Sequence, residues 1–323
     1  MHINNTNLPK KVLSWYDNNQ RTLPWRISKN SKRKQYYRIL SEFMLQQTQV
    51  KTVVPYFNNF VKKVPNLKAL SSCNEKKVLK LWEGLGYYTR AKNLHKTSKI
   101  LIKKYNGQIP TSLPKLKELP GIGDYTANVL LALIYNQPRI ALDGNVKRVL
   151  TRLFNINLEE VANLFKTKRN GDLAEALMEF GALICKPKDP KCYECRIKKM
   201  CSYYTSESKI RFNRKIKIQS KNYDIFCYLK KNKKQIALTK NNDLGFLKQF
   251  NLPKIKHTSK KNKDWKFLCN YKNSISNKKL NINLYYKFSS KIPSEYNWYS
   301  LSKNNEFIPS FTKKIFKQIL HLY

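Results

Sequence analysis

The sequence predicts a mainly α-helical protein followed by a smaller α/β domain, and three observations carry that prediction. Apolar residues recur at three- and four-residue steps through residues 8–200, the period of helices with one buried face. Beyond a basic, aliphatic-poor stretch the pattern changes to short runs that favour strands. Between the two regions lies a tight run of four cysteines, Cys185, Cys192, Cys195 and Cys201.

The helical period is clearest in residues 39–54, 78–82, 94–102, 127–135, 146–154 and 173–184. Proline and glycine punctuate it at Pro65, Gly84, Gly107, Pro110, Pro120, Gly123 and Pro138, where helices are expected to end. Residues 1–204 are therefore expected to form one helical domain and residues 205–221 a basic linker. Residues 222–323 form the second domain, with strands expected at 224–229, 235–239 and 280–286 and a closing helix at 311–320. There is no internal repeat.

A chain of 323 residues holds one large or two ordinary domains. No apolar run approaches the length of a membrane-spanning helix, and the opening Met-His-Ile-Asn-Asn lacks the charged start and apolar core of a signal peptide. A soluble, cytoplasmic monomer is expected, with its cysteines in a reducing compartment. The formal charge of +44 points to a polyanionic partner, nucleic acid first. Only 12 of the 64 basic residues are arginine, a lysine bias like that of an AT-rich genome, so charge supports nucleic-acid binding without establishing it. With such a partner, the protein is expected at the nucleoid.

The four cysteines are separated by six, two and five residues. Four thiolates in one short loop can wrap an iron–sulfur cubane. A structural zinc site usually has two close pairs or a Cys/His mixture, whereas here only Cys192 and Cys195 are close and no histidine lies nearby. Two disulfides would suit a small secreted domain. A [4Fe-4S] cluster is the expected cofactor.

Two further motifs precede the cysteines. In Leu-Pro-Gly-Ile-Gly, residues 119–123, glycines give the turn between two helices conformations closed to other residues. Amides of Gly121, Gly123 and the helix that follows then suit a phosphate oxygen. The string resembles a helix-hairpin-helix, which grips the DNA backbone without reading sequence. Some twenty residues later Asp143 precedes Gly144-Asn145-Val146; alone, it reads as a helix N-cap. At this interval after the hairpin it resembles the aspartate of the helix-hairpin-helix DNA glycosylase superfamily, and the cysteines fit that superfamily's cluster-bearing branch.

Within that branch, endonuclease III-type enzymes carry a nucleophilic lysine two residues after the hairpin's last glycine; here the position is Tyr125. Three strings in order, Leu23-Pro24-Trp25-Arg26, Ser41-Glu42-Phe43-Met44-Leu45-Gln46-Gln47-Thr48-Gln49-Val50 and Trp82-Glu83-Gly84-Leu85-Gly86-Tyr87-Tyr88, resemble MutY-type adenine DNA glycosylases. The resemblance runs through most of residues 8–201. It implies that Glu42 protonates adenine and manages the attacking water, and that Asp143 stabilises the oxocarbenium ion, with Tyr125 and Asn145 assisting.

It also implies that Leu23, Trp25, Arg26, Val50 and Glu175 surround a flipped adenine. Gln47 and Tyr87 would wedge the stack beside the opposing base. Basic residues of the cysteine loop, Lys186, Lys188, Lys191, Arg196, Lys198 and Lys199, would meet phosphates. The partner is then double-stranded DNA holding adenine opposite 8-oxoguanine or guanine.

By the same resemblance residues 222–323 form a Nudix-like domain that reads 8-oxoguanine, without the glutamate-rich metal box of Nudix hydrolases. The family's Phe-Ser-His loop is Ile275-Ser276-Asn277 here, which keeps only Ser276 and puts discrimination for 8-oxoguanine in question. Two other readings stay open: a bifunctional pyrimidine-damage glycosylase/lyase, against which Tyr125 and Glu42 argue, and a cluster-bearing DNA-binding protein without catalysis.

Overall fold

The computed structural model describes residues 8–27, 31–154, 167–205, 219–240, 247, 250–257, 264–275, 278–302 and 308–323. The chain divides into two compact units, Met1–Leu81 with Tyr88–Asn213, and Trp82–Tyr87 with Arg214–Tyr323.

The first unit contains α1 (Leu8–Asn19), α2 (Ser31–Leu45), α3 (Val50–Lys63), α4 (Leu67–Ser72) and α6 (Thr89–Tyr105), with α5 (Glu75–Leu81) between the last two. It continues with α7 (Leu113–Lys117), α8 (Asp124–Tyr135), α9 (Gly144–Phe154), α10 (Asn170–Leu183) and a single turn, α11 (Ser202–Thr205). Helix α8 is apolar all round, with Ala127, Val129, Leu130, Leu131 and Ala132 buried, as a central helix must be. It packs on α2, α7 and α10. Helix α9 is strongly one-sided instead. Its Val146, Val149, Leu150 and Leu153 join α1 and α10 in a core where Trp15 meets Phe180 edge-on at 5.0 Å.

Two glycines let α10 come close to its neighbours. A Cβ on Gly171 would lie 2.8 Å from the carbonyl oxygen of Ala132 on α8, and one on Gly181 would lie 2.7 Å from Cβ of Asn145 on α9. The second contact fixes α10 against the start of the helix that Asp143 introduces.

The apolar period over residues 39–54 predicts unbroken helix, yet the chain breaks there into α2 and α3. Gln47 sits between them in the left-handed region at φ 56°. The reason lies in Arg90 at the start of α6. Its buried guanidinium takes the carbonyls of Phe43, Met44 and Gln46 at 3.1, 2.7 and 2.5 Å, ending α2 as a cationic cap.

In the second unit the strands are β1 (Gln219–Lys230), β2 (Gln235–Leu238), β3 (Lys254–His257), β4 (Lys266–Ile275), β5 (Lys278–Phe288) and β6 (Asn297–Ser300). The order is β4-β5-β1-β2-β6, with β3 also paired to β1. Strands β1 and β5 run parallel, Ile225 opposite Leu284, while β4 pairs antiparallel with β5 and β2 with β6. The expected strands fall on β1, β2 and β5, and the closing helix is α12 (Ser310–Ile319), which buries Phe311, Ile315, Phe316 and Ile319.

Candidate active site

The helical unit holds a cleft of about 590 Å³ between the C-terminal end of α2, the start of α8, the turn before α9 and one face of α10. Glu42 enters it from the last turn of α2. The Glu42 side chain is buried, so most of its carboxyl is withdrawn from water. Burial pushes its pKa up to about 7. The Arg38 guanidinium one turn away resists the shift, and the carboxylates of Glu175 and Asp143 add to it.

Asp143 lies in the same cleft and is also the N-cap of α9. Its Oδ1 accepts the Val146 amide at 2.6 Å, and its Oδ2 accepts Nδ2 of Asn145 at 3.1 Å. The cap and cleft readings of this residue are thus compatible, since capping is what aims it. Tyr125, on the first turn of α8, stands near both acids. Burial first, then the charges of Glu42 and Asp143, hold its phenol well above the usual range, so it is a neutral hydroxyl. That hydroxyl contacts Met178 Sδ at 3.5 Å.

The opposite wall is an ion network on α10. Glu175 accepts Arg26 Nε at 2.8 Å and Arg38 Nη1 at 2.6 Å on one oxygen, and Arg38 Nη2 and the Tyr16 hydroxyl, each at 3.2 Å, on the other. One turn on, Glu179 binds Arg21 Nε and Arg26 Nη2, both at 2.8 Å. Burial alone would raise Glu175; the paired guanidiniums of Arg38 and Arg26 outweigh it and hold the carboxyl below its usual range.

The HhH-GPD family model, described as a superfamily of base excision DNA repair proteins, matches residues 40–169. The chain is 38% identical over 278 residues to an adenine DNA glycosylase of Buchnera aphidicola subsp. Baizongia pistaciae, covering 82% of this chain and 67% of that one. It is 34% identical over 297 residues to the enzyme of the same name from Buchnera aphidicola subsp. Schizaphis graminum, covering 86% and 83%. The chain belongs to the adenine DNA glycosylase family. It is a DNA glycosylase of base excision repair. Among solved structures, a thermostable thymine-DNA glycosylase shares the fold at TM-score 0.55 and 26% identity, covering 61% of this chain and 94% of that one.

Seen from that family, the sequence-derived residues divide cleanly. Glu42, Asp143, Tyr125, Asn145, Leu23, Trp25, Arg26, Val50 and Glu175 all line the one cleft. Trp25 is a core aromatic as well, meeting Phe57 edge-on at 5.3 Å, so only part of it faces the opening. Gln47 and Tyr87 lie outside the lining and are exposed, and both have left-handed backbone, at φ 56° and 49°. Ser276 lies outside the described residues.

The hairpin turn needs one correction: only Gly121, at φ 81°, uses glycine's freedom, while Gly123 (φ −95°, ψ −176°) is extended backbone that any residue adopts. Gly121 is also closely packed, since a Cβ there would meet Phe43 and Asn93 at 2.9 Å.

Beside the cleft, all four cysteines of the loop line one cavity with Val149, Leu153, Phe180, Ile184 and Ile197. None of the chain's seven cysteines is in a disulfide. Among the described residues there is no group of three or more His, Cys, Asp or Glu that could hold a metal ion.

Arg148, which sequence reasoning missed, ties the two sites together. Its Nε donates to the Cys185 carbonyl at 2.8 Å and its Nη2 to Asn145 Oδ1 at 2.8 Å and to the Gly181 carbonyl at 2.7 Å. Arg152, one turn on, donates to Cys185 Sγ at 3.4 Å and to the carbonyls of Lys186 and Pro187. Both arginines stand on α9, and their place just after the Asp143 motif was the available signal. Arg21, Glu179 and Met178 gave none.

Proposed function

We propose that this enzyme hydrolyses the N-glycosidic bond of adenine mispaired with 8-oxoguanine or guanine in duplex DNA, without lyase activity. The observation that carries the reading is the pair of unlike acids in one cleft, a Glu42 carboxyl held near pKa 7 and an Asp143 carboxylate fixed by two donors. Adenine leaves deoxyribose readily only when its ring is protonated. Glu42 is poised to give that proton at neutral pH. The sugar left behind carries positive charge, and the Asp143 carboxylate, aimed by its cap bonds, stabilises it. Asn145 holds Asp143 Oδ2, and Tyr125 supplies a neutral hydroxyl near both acids. Tyr125 cannot form the Schiff base that a lyase requires.

Leu23, Trp25, Arg26, Val50 and Glu175 form the pocket for the extruded base. The left-handed backbone at Gln47 and Tyr87 supports their assignment as wedges, because such strain collects at functional positions. The N-terminal amides of α8 after Gly121 and Gly123 take a phosphate, as do basic residues of the cysteine loop. In that loop Lys191 pairs with Glu194 at 2.9 Å, leaving Lys186, Lys188, Arg196 and Lys199 better placed for DNA than Lys191.

Cys185, Cys192, Cys195 and Cys201 are proposed to hold a [4Fe-4S] cluster. Four thiols that line one cavity suit a group held by four thiolates. The cluster would brace the loop, and no step of base removal passes through it. The sheet unit is proposed to be Nudix-like and to read the opposing 8-oxoguanine, with Ser276 in the reading loop.

Duplexes with A opposite 8-oxoguanine, A opposite G, or an oxidised pyrimidine, each treated with and without alkali, test the proposal. Strand breaks on the adenine duplexes only after alkali are expected. Breaks on the pyrimidine duplex without alkali would replace this reading with a bifunctional lyase, and binding without base release would leave a non-catalytic protein.

A further inference from the structure

One buried cation behind the cleft serves two of its glutamates. Arg38 is buried and absent from the cleft lining, whereas Glu42 and Glu175 both belong to it. Its fork grips both oxygens of Glu175, at 2.6 and 3.2 Å. With Arg26 and Tyr16 also bound, Glu175 accepts four hydrogen bonds, about as many as a carboxylate can take. Arg38 also stands four residues before Glu42 on α2, so the two side chains share one helix face. Its Nε–H finds no acceptor among the described residues, so the guanidinium keeps an unspent donor inside the protein.

We infer that Arg38 is a positioning residue of this site: it locks Glu175 from behind the pocket and lends its charge to Glu42. The inference rests on the reading of Glu42 as the acid. The groups that face Glu42 are Arg38 from its own helix, Glu175 from α10, Asp143 from the turn before α9 and the Tyr125 hydroxyl from α8. Arg21, Arg26, Lys51 and Glu179 complete the charged lining. Of the first four, Arg38 alone favours the ionised form of Glu42. Without it the acid keeps its proton to higher pH. Without the fork, the wall that meets the base loses its fixed geometry, although Arg26 still pairs Glu175.

Single-turnover excision from an A:G duplex as a function of pH tests this with R38M, R38K and E42Q. In R38M the alkaline limb of the profile moves up by about one pH unit or more. In R38K, which keeps the charge and loses the fork, the limb stays in place and the maximal rate falls about tenfold. An R38M limb superimposed on the wild type overturns the charge role whatever happens to thermal stability. A wild-type rate in R38K, or a shifted limb, overturns the inference, and R38K decides alone if R38M does not fold. E42Q separates the layers: if it still excises adenine, the acid assignment itself falls. An inactive E42Q beside an unmoved R38M limb removes only the Arg38 inference.

Discussion

Two walls of one cleft treat the same chemical group in opposite ways. On the α2 wall Glu42 is buried with the Arg38 guanidinium as its one neighbouring cation among the described residues, and burial lifts it to about 7. On the α10 wall Glu175 is as deeply buried, but Arg26, Arg38 and Tyr16 surround it and its pKa falls. Burial is common to both, so the donors decide. A carboxyl left without a full set of donors becomes an acid; one saturated with donors becomes a fixed negative wall.

The sharpest break of this contrast is to remove the proton or the charge that it creates. E42Q is expected to lower single-turnover excision by roughly 10²–10⁴-fold, the usual range for a general acid. D143N is expected to lower it by about 10²–10³-fold, as for a lost electrostatic stabiliser, while gel-shift affinity for an A:G duplex stays near that of the wild type. Unchanged turnover in D143N would end its assigned role.

The contrast also reaches stability. The folded-state pKa of Glu42 lies above its reference value of 4.5, so between pH 4.5 and 7 the folded chain holds a proton that the unfolded chain releases. Stability from this group therefore declines as pH rises through that window, by up to about 3 kcal/mol. E42Q should melt higher than the wild type at pH 8, with the advantage shrinking toward pH 5. Glu175 acts with the opposite sign: its depressed pKa gives stability that is present above 4.5 and is lost as pH falls through the folded value. Denaturant titrations of the wild type and E42Q at pH 5 and pH 8 check the Glu42 effect.

Smaller effects test how the walls are held. Gly181→Ala places a Cβ against Asn145 and should cost about 1–3 kcal/mol by overpacking, read as a lower melting temperature. Arg148→Met frees Asn145 and the Cys185 carbonyl at once. A drop of about tenfold in excision rate is expected.

Much of this cleft was legible in the sequence because its residues sit in strings with few other uses. Glu42 lies inside a long matching run, and Asp143 follows the hairpin at a telling interval. The supporting layer was not legible. Arg38 and Tyr16 reach Glu175 across 137 and 159 residues of sequence, and no local pattern encodes such pairings. Arg90 is similar: nothing in its own helix shows that it ends another one, so the break at Gln47 was hidden under a continuous apolar period. In the sheet unit β1, β2 and β5 were readable because their apolar runs are buried. Strands β4 and β6 lie at the ends of the strand order, mix Lys, Asn and Ser with their apolar residues, and left little signal.

The most direct test is to titrate the two glutamates by NMR in protein labelled at the glutamate side-chain carboxyl carbon, with E42Q and E175Q to assign them. One signal titrating near pH 7 and vanishing in E42Q is expected, with a second that stays ionised down to below 4.5 and vanishes in E175Q. A Glu42 signal titrating near 4.5 would contradict that expectation, because the cleft would then hold no acid at neutral pH.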